Sequence, residues 1–465
     1  MDIHRKILHE NFTSFVGTTS LTEVLALCTI PIPLLSIRHI LTSLFGLKLR
    51  NLIINLLWDA LCVIVPTILL LTVANQHILL VWTSTSVSVF FWQLLALRPQ
   101  SNRPPLTFAS LVRVADLKCV VMLLTCLMLL GIDMPVCPRR FAKTHTRGFS
   151  LMDTGTGLAI SLSAVSAYQY VLSPAGVPSS LGYLLQRSVL PAFVIGSTRV
   201  CLVSLLNYQQ PTAEYGSHWN FFYTFAFVRL ISCTVLSSEL FTNRYSLTKR
   251  LFCLIGITVS LFSLSWYLEQ RISLILTEDV DWPSVEARSR SLLLANAEGL
   301  LSLSGYTAIY FCGILYFTFS RLLFDHDIFT RTIGSFLTYT LFSLFLIVFC
   351  YAYLDHFGWY SISRRFANSG YIVFIFLATV VSVLFNSLSA FTQYYCGGTS
   401  ECPPSALILC TSKFGMVYFL LSNVITGGVN FFVDTLSFLS SNAVIDPNTG
   451  VYSLSFQSTA VQLVI

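Results

Sequence analysis

Two residues ten positions apart, Asp133 and Lys143, are of the types that can together activate a hydroxyl group. Asp133 closes the apolar run "CVVMLLTCLMLLGID", and Pro135 and Pro138 prevent that run from continuing as a helix. A carboxylate placed there lies at the edge of an apolar layer, partly desolvated. Such burial raises the pKa of a carboxyl group and makes its ionised form a better base. Lys143 can fold back across the short loop, where its charge opposes that rise and can stabilise a developing oxyanion. Between them, Arg139 and Arg140 offer forked donors that match phosphate oxygens. The chain then reads "GFSLMDTGTG". Ser150 fits a helix N-cap, and Asp153 falls in the first turn, where negative charge is favoured. Gly155 and Gly157 leave one helix face bare, so that a neighbouring helix or a lipid tail can approach closely. The chemistry suggested is base-assisted transfer at a hydroxyl beside an anionic group. The plainer alternatives are interfacial anchoring for the two arginines, capping for Asp153 and a solvated helix end for Asp133.

The elements that position these residues follow from composition. The 465 residues are 55% hydrophobic and 10% charged, with mean hydropathy +0.73. A soluble domain carries about 25% charged residues. The outside of this chain must therefore face lipid, and the fold class expected is an all-α polytopic membrane protein in one multi-pass domain, 1–465. Apolar runs long enough to cross a hydrocarbon core about 30 Å thick lie near 21–40, 51–73, 76–97, 111–132, 151–173, 183–206, 218–240, 249–269, 301–322, 331–354, 370–392 and 412–440. About 12–13 helices around an internal cavity are expected, the last with a break at "TGGVN" (426–430). The hydrophilic stretch near 270–300 reads as an interfacial segment.

Net charge is +6 with no basic tail, so nucleic acid is not an expected partner, and no obligate protein partner is evident. The thirteen cysteines form no CxxC or Cys/His ligand pattern, so neither a metal nor a prosthetic group is implied. Cys396 and Cys402 could pair only on an oxidising side. The N-terminus does not resemble a cleaved signal peptide.

Loop charge sets orientation. Placing the loops after the odd-numbered runs in the cytoplasm, and counting basic residues toward the run ends with the loops they adjoin, puts 14 of the 27 basic residues there and 11 opposite, with Arg199 and Arg229 deep inside runs. Four of the 11 belong to the loop after Asp133, and without that loop the balance is 14 against seven. The N-terminus is thus expected to be non-cytoplasmic, exposing the sequon at Asn11. The loop carrying Lys143 keeps its cations against the bias, as a site for an anionic ligand would.

Other polar residues stand beside or within apolar runs. His218, in "EYGSHWNFF", could orient a headgroup or act as an alternative base; its plain reading is an interfacial histidine. Asn296 and Glu298 could receive a sugar ammonium, and Arg364 and Arg365 a phosphate or merely an interface. Arg199 and Arg229 deep in runs suggest a polar cavity, which Asn386, Asn423, Asn430 and Asp434 could share. The 37 phenylalanines suit lipid contact and helix packing.

"PRRFAKT" followed by "SLMDTGTG" resembles the signature of the PIG-W family, the endoplasmic-reticulum inositol acyltransferases of glycosylphosphatidylinositol (GPI) anchor assembly. Similar blocks follow in order: "EYGSHWNFFYT" (214–224), "LLLANAEGLLSLSGYTAIY" (292–310), "SRRFANSGYIVFI" (363–375) and "LLSNVITGGVNFFVDT" (420–435), and the opening "ENFTSFVGTTSLTEV" fits as well. The resemblance implies about thirteen spans, a luminal N-terminus and residence in the endoplasmic reticulum membrane. It also implies transfer of a fatty acyl group, usually palmitoyl, from acyl-CoA as co-substrate to the inositol 2-hydroxyl of glucosaminyl-phosphatidylinositol. The family's proposed acid and lysine correspond to Asp133 and Lys143. His145, Thr156 and Ala297 depart from the pattern, which usually has an acid, a valine and an arginine there. The rival reading is a secondary transporter, to which intramembrane Arg199 and Arg229 and a broken last helix would be suited.

Overall fold

A computed structural model of the chain describes residues 19–95, 106–172, 189–205, 212–241, 245–275, 285–325, 333–396 and 404–433. Asn11, Cys402 and Asp434 lie outside the described residues, and with Cys402 so does any pairing of Cys396 and Cys402.

Each of the twelve apolar runs overlaps a helix: α1 (Leu21–Leu44), α2 (Leu52–Leu71), α3 (Ile78–Leu95), α4 (Phe108–Gly131), α5 (Leu151–Ser163), α6 (Leu190–Leu205), α7 (Phe221–Leu236), α8 (Leu247–Ile275), α9 (Ala297–Asp325), α10 (Ile333–Phe357), α11 (Ser369–Cys396) and α12 (Ala406–Phe432). Among the described residues, eight of them, α1, α2, α4 and α8 to α12, are long and apolar enough to cross a membrane. The chain is an all-α, multi-pass membrane protein. Several starts are set by polar caps. Ser20 accepts from the Glu23 amide, Asn51 from Ile53 and Ile54, Asn220 from Phe222 and Tyr223, and Ser405 from Ile408. Each supplies an acceptor to an orphan N–H that lipid cannot satisfy.

The chain, read above as one domain, contains two compact units. The first comprises residues 1–143, 150–155 and 380–465; the second comprises 144–149 and 156–379.

Within the first unit, Arg38 of α1 and Asp59 of α2 are both fully buried and paired at 2.7 Å. Burying an ion pair is tolerated only when its remaining polar atoms are also satisfied. Here Asn55 accepts from Arg38, while Asp59 also accepts from the Ser405 hydroxyl and the Leu407 amide at 2.8 Å each. The next five residues, Ala60–Ile64, form a π-turn before Pro66, whose missing N–H cannot extend the α ladder. Helix α4 is interrupted at Arg113, a non-glycine residue at φ 41°. Asn386 donates to the freed Val112 carbonyl at 2.7 Å, and Arg113 donates to Gln393 at 2.7 Å. A small polar cavity lined by Ser36, His39, Arg113, Asp116, Asn386 and Gln393 has room for about one water, far too little for a lipid sugar.

Helices α4 and α12 pack along each other and run parallel. Gly415 lies beside Met122, Ser422 donates to the Cys126 carbonyl at 3.5 Å, and Asn430 reaches Asp133. The break expected at "TGGVN" does not occur. Helix α12 is continuous through 426–430, and its single non-helical residue is Phe414 (φ −122°, ψ 26°). Glycine permits a break but does not force one, and in lipid every interrupted backbone bond must find another partner.

In the second unit, α9 is central and packs against α7, α8 and α10. Its Tyr306, Tyr310, Phe311, Tyr316 and Phe317 are almost completely buried. Gly305 allows the closest approach: a Cβ there would strike the Ala367 carbonyl oxygen. Arg229, deep in α7, donates to the Tyr310 hydroxyl at 2.6 Å and lies over its ring. This intramembrane cation is thus held by a helix contact. Arg199 is exposed on α6 rather than lining a cavity. Arg229 in a helix contact, Arg199 on the outside and α12 unbroken at its glycines remove the three features that suited a transporter.

Candidate active site

Asp133 sits two residues beyond the end of α4, in a turn held by its own N–H to the Leu130 carbonyl at 3.1 Å. Its side chain is half-buried, as is that of Lys143 at the far end of the loop. The Asp133 Oδ2 accepts from Asn430 Nδ2 at 2.6 Å. The turn keeps this shape because its cations face inward. Buried Arg139 donates to the Ile132 carbonyl at 2.7 Å, where the end of α4 concentrates negative potential. Arg140 pairs with Glu23 at 2.8 Å, donates to Asn75 Oδ1 at 2.9 Å and lies 4.6 Å from the centre of the Phe141 ring. The sequence suggested phosphate binding for Arg139 and Arg140. The structure commits donors of both to the protein, because a guanidinium at an apolar edge is desolvated and takes the nearest acceptor.

Cys137, in the same turn, is fully buried, and burial pushes its thiol up to about 12 despite the neighbouring arginines. A thiol so far from ionisation is a poor nucleophile at neutral pH.

Ser150 and Asp153 are also buried, the serine hydroxyl donating to Asp153 Oδ2 at 2.9 Å. They close the first turn of α5. The bare face expected at the two glycines is used for close packing. A Cβ on Gly155 would lie 3.3 Å from Thr125 Oγ1, and one on Gly157 would lie 2.5 Å from Ile375. Thr156 presents its hydroxyl to Tyr215 at 3.1 Å, a contact that a valine could not make.

The second unit gathers the other expected residues. Exposed His218 is placed through its backbone N–H, which donates to Asn296 Oδ1 at 2.9 Å. The Asn296 amide in turn donates to the Leu292 carbonyl at 2.9 Å. Glu298 is fully buried between two arginines, pairing with Arg288 and, at 2.8 Å, with Arg365. The ammonium-binding role expected for Glu298 is thus occupied by guanidinium groups. Arg364 is buried with its guanidinium 5.9 Å from the Tyr215 ring centre. Near these residues the loop 144–149 is anchored, with Ser363 donating to the Thr146 carbonyl at 2.6 Å and Gly148 to Ile362 at 2.7 Å.

The structure thus places Asp133, Arg139 and Arg140 in the turn after α4, with Lys143 at the end of the same loop. It brings His218, Asn296, Glu298, Arg364 and Arg365 together in the second. Sequence reasoning missed Glu23 and Arg288 as partners. Glu23 carried a usable signal, being an acid at the start of an apolar run. Arg288 carried none, because the stretch around it read as an interfacial loop.

The chain is 32% identical over 330 residues to GPI-anchored wall transfer protein 1 of Schizosaccharomyces pombe, a match covering 70% of this chain and 66% of that protein. It is 28% identical over 383 residues to the human glucosaminyl-phosphatidylinositol-acyltransferase PIGW, covering 73% of this chain and 72% of the relative. The mouse PIGW protein matches at 26% over 435 residues, covering 82% of each. The GWT1 family model matches residues 5–454, nearly the whole length, and the chain belongs to the GWT1 family.

Proposed function

We propose that this protein is an O-acyltransferase of GPI-anchor biosynthesis in the endoplasmic reticulum membrane. It moves a fatty acyl group, palmitoyl in the first instance, from acyl-CoA to the inositol 2-hydroxyl of glucosaminyl-phosphatidylinositol. Family membership and the names of the PIGW relatives support the reaction class. The observation that carries the site is the half-buried Asp133 carboxylate, oriented by Asn430 beyond the last turn of α4, in the same turn-and-loop segment as Lys143.

A secondary alcohol is a weak nucleophile at neutral pH, so a base must take its proton as it attacks. Asp133 takes the inositol hydroxyl proton while the oxygen bonds to the thioester carbon. The tetrahedral oxyanion collapses, the C–S bond breaks, and the CoA thiolate leaves and is protonated. The Lys143 ammonium stabilises the oxyanion. Transfer is direct. Cys137, the thiol nearest to Asp133 in the chain, is held protonated by burial and is unsuited to form an acyl-enzyme.

The test is acyl transfer by purified full-length protein in detergent, with labelled acyl-CoA and a glucosaminyl-phosphatidylinositol acceptor. Asp133→Asn and Lys143→Ala are each expected to lose at least about a hundredfold in turnover. Near-parental turnover in both variants, with the fold intact, would remove this mechanism.

A further inference from the structure

The last described helix reaches the candidate base. Helix α12 runs parallel to α4, in register through Gly415 beside Met122 and Ser422 beside Cys126. It ends two residues after placing Asn430 against Asp133. Asn430 is 6% exposed, and its amide nitrogen is 2.6 Å from Asp133 Oδ2. The direction of the bond matters, because an amide N–H donated to a carboxylate fixes its rotation. It also occupies a lone pair on one oxygen, Oδ2. The α4–α12 contact sets this geometry from outside the loop that contains Asp133 and Lys143.

We infer that Asn430 is a positioning residue for the transfer reaction, orienting the Asp133 carboxylate from α12. This inference rests on the proposed role of Asp133 as the base. The reacting atoms gain most of their advantage from being held in the correct geometry, and a misplacement of about 1 Å costs on the order of a hundredfold. Loss of the donor therefore lowers kcat, while substrate binding, made elsewhere, keeps KM nearly unchanged.

The experiment compares Asn430→Leu, Asn430→Asp and Asn430→Gln with Asp133→Asn in the full-length protein, measuring kcat, KM for both substrates and the melting temperature. Asn430→Leu keeps the shape but has no donor. It is expected to lose about ten- to a hundredfold in kcat with KM within about twofold of the parent. Asn430→Asp replaces a donor by a second carboxylate and should lose at least as much. Asn430→Gln retains the amide donor and should recover part of the loss. A merely structural role would lower the melting temperature in step with activity and give no rescue by glutamine. Near-parental kcat in Asn430→Leu, or a loss explained wholly by unfolding in every variant, overturns the inference. If Asp133→Asn keeps its activity, the assignment of the base itself falls. If Asp133→Asn is inactive while Asn430→Leu is unaffected, only the role of Asn430 falls.

Discussion

Replacing Glu298 by alanine separates two readings of the second unit. Its carboxylate is fully buried between Arg288 and Arg365, whose side chains are only 12% and 7% exposed. Removing it leaves two desolvated guanidinium groups facing each other with the intervening charge gone. Breaking a buried pair from one side costs about 3–5 kcal/mol, and two arginines depend on this carboxylate. For a domain of this size each kcal/mol lowers the melting temperature by roughly 2–4 °C, so a fall on the order of 10 °C is expected for Glu298→Ala. Glu298→Gln keeps an acceptor oxygen but no charge and should fall about half as far. Replacing all three residues by apolar ones, Glu298→Leu with Arg288→Leu and Arg365→Met, should recover part of the loss, since no buried charge remains. The assay is fluorescence-detected melting of the full chain in detergent at one fixed scan rate, because unfolding of such proteins is commonly irreversible. Acyl transfer is then measured well below every melting point. If Glu298→Ala melts with the parent yet loses transfer, the carboxylate works on the substrate and the structural account is wrong.

Two further outcomes follow from the packing of α12 and of the turn after α4. Alanine at Gly428 meets nothing within 4 Å, and α12 is continuous there; Gly428→Ala should therefore leave stability unchanged or raise it by up to about 1 kcal/mol, and a marked loss in the same melting assay would revive a break at "TGGVN". Cys137 is buried with its thiol raised to about 12, so Cys137→Ser should keep turnover within about twofold, and an abolished reaction with an intact fold would point to a covalent intermediate.

The segments that cross the membrane were legible because span length and apolarity are local properties. Each of the twelve runs overlaps a helix, although α5 and α7 are shorter than expected. The turn after α4 was legible for the same reason, since Pro135 and Pro138 can only end the helix. The direction of the side chains was not legible. Arg139 and Arg140 looked like ligands for an anion because sequence shows their charge and not their acceptors. Those acceptors include Ile132 nearby but also Glu23 and Asn75, more than sixty residues away. Arg229 looked like a cavity cation until Tyr310 was placed beside it.

The order of residues by itself determined that the chain lives in lipid, which stretches form its helices, and that an acid and a lysine stand ten apart beyond one of them. These follow from hydropathy, capping and proline sterics, which act over a few neighbouring residues. Tertiary structure alone decided which charges are spent on the protein and that the carboxylate at 133 is oriented by an asparagine almost three hundred residues later. A buried polar group must find a partner wherever the packed helices bring one within reach.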